Sequence, residues 1–296
     1  MSALLSYRLV GARAAVAQLG APIARTLGTG SIHLLLVCAL ALPFAWLAVR
    51  MRVLTLGGSI MAGLVALAVV MSQGWLWLAP LFFFLISGVL LGRLNPGQGP
   101  GTIGGRSDAK HGRPRDSIQV FCNGGIYALL AVLDDFHADV WMTISLCTAM
   151  CDTWASEIGM YARWSTIDIA TLRRVAPGLS GGISLAGTLG GFGGSMLMGL
   201  FICTFMVTYP PSPGWLITVF KSVLIFGAAL WYSAFAMGGM LLDSLLGALL
   251  QAKYDDGDGP RDTGTRQVSG FRWMTNDGVN LLSNALTVAV AAWVLG

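Results

Sequence analysis

Cys151-Asp152-Thr153-Trp154-Ala155-Ser156-Glu157-Ile158-Gly159 closes an apolar run that begins at Val140. A carboxylate this deep in a run of hydrocarbon length costs several kcal/mol unless it is paired, hydrated or bound to a cation, which makes Asp152 the first functional candidate. Glu157, the only glutamate in the chain, follows five residues later. On a regular helix that step turns by roughly 140°. The two acids therefore share one site only where the helix ends, bends or is met by another segment between them.

Working outward, the 296-residue chain is 55% hydrophobic and only 11% charged, with a mean hydropathy of +0.71. Soluble domains carry about a quarter charged residues. The chain reads as all-α, a polytopic integral membrane helical bundle. Apolar runs at about 33–49, 53–71, 75–92, 118–133, 140–160, 181–207, 215–251 and 279–295 come near or exceed the roughly 20 residues that cross a bilayer as helix. None alternates as the strands of a membrane barrel do. One transmembrane domain, 29–296, with seven or eight crossings is expected. Residues 1–28 carry Arg8, Arg13 and Arg25 among Leu, Val and Ala and read as an amphipathic or partly inserted helix.

Basic residues set the orientation. They concentrate at Arg50 and Arg52, in a loop near 93–117, in a loop near 161–180 and in a loop near 253–275, whereas the connections at 72–74, 134–139 and 208–214 hold no Lys or Arg. By the positive-inside bias the first set is cytoplasmic, or stromal in a plastid. The alternation requires the run 215–251 to cross once. It is too long for one upright span, so it is read as a broken, re-entrant or protruding helix interrupted near Gly238-Gly239, within 236–251. The five cysteines fall in or beside apolar runs, and the three histidines are scattered at 33, 111 and 137. No zinc site is implied, and no nucleic-acid partner is expected from a net charge of only +4.

Four constellations can carry chemistry. The loop holding Arg106, Lys110, Arg113 and Arg115, which leads to Asn123 inside the next run, suits phosphate because guanidinium forks bind its oxygens in pairs. The bland alternative is a juxtamembrane loop resting on anionic membrane lipids. Ser180-Gly181-Gly182-Ile183-Ser184 opens an apolar helix after Arg173-Arg174, an arrangement that presents free N–H groups and hydroxyls to an anion. The glycines that follow, Gly187, Gly190, Gly191 and Gly194, have the spacing of helix packing. Asp152, Glu157 and Asp243 are oxygen ligands suited to Mg²⁺, against a structural role in ion pairs. Asn276, Asp277 and Asn280 sit at another cytoplasmic end. Asp255-Asp256-Gly257-Asp258-Gly259 reads as a solvated acidic turn, since it lacks the glutamate of a calcium loop.

Cys151 to Gly159, Pro177 to Thr188, Leu242 to Gln251 and Asn276 to Ser283 closely resemble, in order and spacing, the membrane family that includes transmembrane protein 19 and the plant phytyl-phosphate kinases. The resemblance covers about residues 90–295 and departs from the family pattern at Cys151 and Leu179. It implies a polytopic fold and transfer of a nucleotide γ-phosphate, usually from CTP, to a membrane-embedded prenyl monophosphate. In that reading Asp152, Glu157 and Asp243 hold Mg²⁺ and the donor phosphates. Arg106, Lys110, Arg113 and Arg115 neutralise charge, and Ser180, Gly181, Gly182 and Ser184 cradle phosphate. Asn123, Asn276, Asp277 and Asn280 add polar contacts. The rival reading is a transporter or lipid flippase, because broken helices and intramembrane acids also mark transport paths. A homo-oligomer is compatible with either.

Overall fold

The computed structural model describes residues 29–94, 114–133, 137–162, 164–207, 215–257 and 259–295. The expectations for residues 1–28 and for Arg106, Lys110 and Arg113 lie outside the described residues. Within them, eight α-helices follow one another: α1 (Thr29–Arg50), α2 (Leu56–Gln73), α3 (Leu78–Leu94), α4 (Ser117–Leu133), α5 (Ala138–Ala162), α6 (Leu185–Val207), α7 (Trp215–Leu250) and α8 (Asn276–Leu295). They match the eight apolar runs. Five of the described helical segments are long and apolar enough to cross a membrane.

α5 is not among those five, yet it is the centre of the bundle. Every residue from Trp141 to Cys151 is buried, and the helix packs on α3, α4, α6, α7 and α8. Its hydropathy is lowered by hydroxyls and acids that face protein rather than lipid. Thr143 and Thr148 donate to the carbonyls of Asp139 and Ile144 on their own helix, at 2.6 and 2.8 Å. An interior helix can be this polar because its neighbours, not acyl chains, surround it.

The small residues of α6 set how closely it meets α5. A Cβ on Gly187 would lie 2.8 Å from the Ala155 carbonyl oxygen, and one on Gly191 2.8 Å from that of Cys151. Gly190 and Gly194 are filled in the same way by Ile158 and Trp154. The packing role expected of these glycines is the one they have.

α7 corrects one expectation. It runs unbroken through all 36 residues, about 54 Å at 1.5 Å per residue, so it is neither broken nor re-entrant near 236–251. Of the expected alternatives, broken, re-entrant or protruding, an unbroken helix longer than the roughly 30 Å hydrocarbon core fits the last. Gly239 serves close packing instead: its missing side chain leaves the space taken by Thr148 and Thr287.

The loops near 161–180 and 253–275 are folded into small sheets. β1 (Thr166–Asp168) pairs antiparallel with β2 (Arg174–Val175) and β3 (Gly182–Ile183), and β4 (Lys253–Tyr254) pairs with β5 (Gln267–Ser269). Asp168 joins the two sheets. One of its oxygens accepts from Ala170 N, Thr171 N and Thr171 Oγ1 at 2.8 to 3.1 Å, and the other pairs with Lys253 Nζ at 3.5 Å, both side chains being buried. Asp256 pins the acidic turn by accepting from Thr265 and Arg266.

Candidate active site at one end of the bundle

The C-terminal half of α5 meets four other segments around a polar cavity of about 160 Å³. Asp152, Thr153, Ser156 and Glu157 form its α5 wall. These positions fan over the roughly 140° between the two acids. The helix does not end there but runs on to Ala162, and other segments wrap around it, which is the third of the geometries that allow a shared site.

The first of those segments is the short stretch before α4. Arg115 N donates to Val53 O at 3.0 Å, and Thr55 N donates to Arg115 O at 3.0 Å, so the residues before α4 run beside those before α2. Thr55 caps α2, accepting from Gly58 N at 3.0 Å. Asp116 and Gln119 cap α4 reciprocally, at 2.9 and 3.1 Å, the capping-box exchange. Two helix starts are thus tied together with Arg115 between them.

The Arg115 guanidinium lies 5.3 Å from the centre of the Phe84 ring, a cation–π arrangement. It rests against Gly88, which Thr153 also borders, and feels the charge of Glu157. Gly88 and Gly92 share one face of α3: the first leaves the space Arg115 fills, and a Cβ on the second would lie 3.6 Å from Glu157 Oε1.

Arg52 and Arg93 also line the cavity. Arg52 holds a left-handed backbone, φ 54°, which is uncommon for a residue with a Cβ. Arg93 Nη2 donates to Met51 O at 2.7 Å, joining the end of α3 to the turn after α1.

The remaining wall is the first turns of α4 and α8. Asn123 donates to Gln119 O at 2.9 Å, and both residues border the cavity. Asn276, Asp277 and Asn280 contribute from α8, Asp277 being 3% exposed. With its amide nitrogen turned toward acceptors, Asn280 donates to Asn276 O at 3.0 Å and to Asp243 Oδ2 at 3.1 Å. Ser283 Oγ donates to the same oxygen at 2.8 Å. Asp243, on α7, is close enough to Asp152 for each charge to act on the other.

The structure therefore gathers Asp152, Glu157, Asp243, Arg115, Asn123, Asn276, Asp277 and Asn280 at one end of the bundle. Two expectations are corrected. Among the described residues no three of His, Cys, Asp and Glu form a group able to hold a metal: Asp152 and Asp243 are a pair, while Glu157 stands apart at Arg115.

The second correction concerns the serine–glycine turn, which does not line the cavity. It packs on Gly247 and Ala248 of α7. Ser180 N donates to Asp262 Oδ2 at 2.9 Å and Ser180 Oγ to Gln251 Oε1 at 2.7 Å. Gly181 and Gly182 are fitted tightly against Ala248, Leu179 and Thr166. Ser184 caps α6, accepting from Gly187 N at 3.1 Å. The Ser180 amide and hydroxyl and the Gly182 amide are thus engaged within the protein.

Five polar residues of the cavity were not singled out as site residues by the sequence reading: Arg52, Arg93, Gln119, Thr153 and Ser156. The two arginines were visible as orientation charges, and the left-handed geometry of Arg52 is the feature that marks it.

A bundle of apolar helices enclosing a charged cavity at one end defines a polytopic integral membrane protein. The chain belongs to the integral membrane protein family DUF92, whose model matches residues 39–288. It is 29% identical over 226 residues to an uncharacterized membrane protein of Methanocaldococcus jannaschii, covering 75% of this chain and 83% of the relative. It is 28% identical over 208 residues to Protein PGR of Arabidopsis thaliana, covering 60% and 68%. An uncharacterized membrane protein of Synechocystis is 26% identical over 171 residues, covering 55% and 54%. No solved structure matches.

Proposed function

We propose that the protein is a prenyl-phosphate kinase, transferring the γ-phosphoryl group of a nucleoside triphosphate, CTP by family resemblance, to a prenyl monophosphate in the bilayer. One observation carries the reading: Arg52, Arg93 and Arg115 meet Asp152 and Glu157, all brought from separate segments, in a single cavity at the end of the bundle, with Asp243 near enough to Asp152 for their charges to interact. Such a set suits a polyphosphate and its counter-ion better than an apolar solute.

The acceptor is already an anion at neutral pH, so no strong general base is required, and positioning with charge neutralisation supplies the catalysis. Arg52, Arg93 and Arg115 neutralise phosphate oxygens, Arg115 as a planar fork held by Phe84 and Glu157. Asp152 and Asp243 would hold Mg²⁺; two carboxylates from facing helices fit an ion that keeps waters and completes its shell with substrate phosphates. That ion would screen the charge of the donor phosphates. Asn280 and Ser283 hold the Asp243 carboxylate by hydrogen bonds, and Asn123, Asn276 and Asp277 complete the wall of the cavity. A cavity of about 160 Å³ is smaller than the roughly 300 Å³ of an ordinary small-molecule pocket. It takes phosphates, and the base and ribose sit at its mouth. A mouth on the cytoplasmic or stromal face is supported by the basic connections of the sequence.

The test is purified protein in nanodiscs with Mg²⁺, labelled CTP and geranylgeranyl or phytyl monophosphate. Labelled prenyl diphosphate is the expected product. Movement of a prenyl phosphate across liposomes without nucleotide turnover would replace the kinase by the flippase.

A further inference from the structure

Asn280, Ser283, Asn284 and Thr287 recur on α8 at steps of three and four residues and so share one face of the helix. Asn280 and Ser283 end that face at Asp243. Asn284 carries it inward: its Nδ2 donates to Ser145 O at 3.1 Å and joins α8 to α5. From Asn276 to Asn284 the helix advances about 12 Å at 1.5 Å per residue. The contact is therefore well inside a helix that spans a hydrocarbon core of roughly 30 Å.

Two atoms at this contact have no hydrogen-bond partner among the described residues: Asn284 Oδ1 and Ser145 Oγ. They do not bond each other. Asn284 is 2% exposed and Ser145 0%. Ser145 stands apart in this. Every other buried serine or threonine on the described helices, Ser59 excepted, donates to a carbonyl of its own helix, as Thr148 does to Ile144 and Thr287 to Ser283. A buried polar atom without a partner is costly, and here two of them flank a single hydrogen bond.

We infer that this contact binds one internal water molecule, which donates to Asn284 Oδ1 and accepts from Ser145 Oγ, and that the bridge fixes the rotation of α8 on α5. Water supplies the donor that one atom requires and the acceptor that the other requires, and internal waters commonly link groups left unsatisfied by the protein. A cation fits less well. Both oxygens are neutral, and among the described residues no three of His, Cys, Asp and Glu gather to balance a charge. Because Asn280 and Ser283 stand on the same face as Asn284, the bridge also fixes which side of α8 meets Asp243. The water site does not depend on the reaction assigned to the polar cavity.

The experiment is a double-mutant cycle on the full chain in nanodiscs, read by thermal unfolding, with Ser145→Ala, Asn284→Ala and the two combined. Asn284 Nδ2 bonds the Ser145 carbonyl, which Ser145→Ala retains, so the two side chains interact only through the bridge. Ser145→Ala is expected to lower the melting temperature by about 2–4 °C in the wild type. Once Asn284 is replaced, the same change should leave it unaltered or raise it. A high-resolution experimental map should show density within hydrogen-bond reach of both atoms. A rise in the wild type, as deletion of an unpaired hydroxyl would give, or an equal loss in both backgrounds, would overturn the inference. So would a map in which Ser145 Oγ bonds a protein carbonyl, or a melting temperature set by the identity of the monovalent cation, which would place an ion there. Hydrogen exchange in Ser145→Ala should accelerate at 276–287 more than at 185–207, and a uniform acceleration would remove the locking of α8. Should Asn284→Ala not fold, the sign of the Ser145→Ala effect and the map decide.

Discussion

Replacing Asp152 by Asn separates a carboxylate kept for an ion from one kept for structure, because the two roles give stability changes of opposite sign. Asp152 and Asp243 face each other across α5 and α7, and Asp243 is already held by Ser283 and Asn280. Two ionised carboxylates about 4 Å apart repel by about 4 kcal/mol at an effective dielectric constant near 20, less at greater separation or where they share a proton. Without divalent ions, Asp152→Asn should remove much of that repulsion and raise the melting temperature by several degrees, since 1 kcal/mol moves a domain of this size by about 2–4 °C. With Mg²⁺ the order should invert. An ion present at a hundredfold its Kd stabilises the wild type by about 2.7 kcal/mol through binding the folded state, and the variant loses most of this. Transfer of label from CTP should fall by at least about 100-fold. The assay is a pair of melting curves, with EDTA and with Mg²⁺, alongside the transfer reaction. A variant that melts lower than wild type in EDTA, or that keeps the full Mg²⁺ shift, would show that Asp152 supports the fold and not an ion.

Three further substitutions test the surroundings. Gly88→Ala sets a methyl group against Arg115; because the end of a flexible side chain can yield, the fold should lose under about 1 kcal/mol. A guanidinium displaced by about an ångström should nonetheless lower turnover by 10- to 100-fold, and unaltered kinetics would remove Arg115 from the site. Gly191→Val meets the Cys151 carbonyl instead, backbone that cannot yield, so it should destabilise the bundle by about 1–3 kcal/mol, read by thermal unfolding in detergent. Lys253→Met should loosen the two sheets by about 1.5–3 kcal/mol, seen as faster hydrogen exchange at 166–175.

The same ion pair gives a pH dependence. Burial by itself would raise the Asp168 carboxyl, but hydrogen bonds from Thr171 and the charge of Lys253 outweigh it and hold the group below its ordinary 3.8. A depressed value stabilises the folded state fully above the unfolded value and loses that contribution as pH falls toward the folded one. Exchange at 166–175 should therefore accelerate only below about pH 4. Acceleration already near pH 6 would contradict the assignment.

Sequence alone determined the membrane class, the eight helices and the end of the bundle where polar groups collect. Hydrophobicity adds along the chain, and length against bilayer thickness needs no knowledge of neighbours. It also picked out Asp152, because an acid in an apolar run is anomalous whatever surrounds it. Tertiary structure decided which polar groups meet. The serine–glycine turn had the composition of an anion cradle, but Gln251 and Asp262, more than 70 residues away in the chain, engage Ser180. Arg52 and Arg93 looked like orientation charges until the turn after α1 and the end of α3 were placed beside Arg115. The same limit applied to α7, whose glycines suggested a break until α5 and α8 were seen packed on Gly239. A bilayer fixes how far each helix extends and says little about how it is rotated. Rotation comes from side chains interlocking between segments distant in sequence, and that rotation turned scattered charges into a cavity.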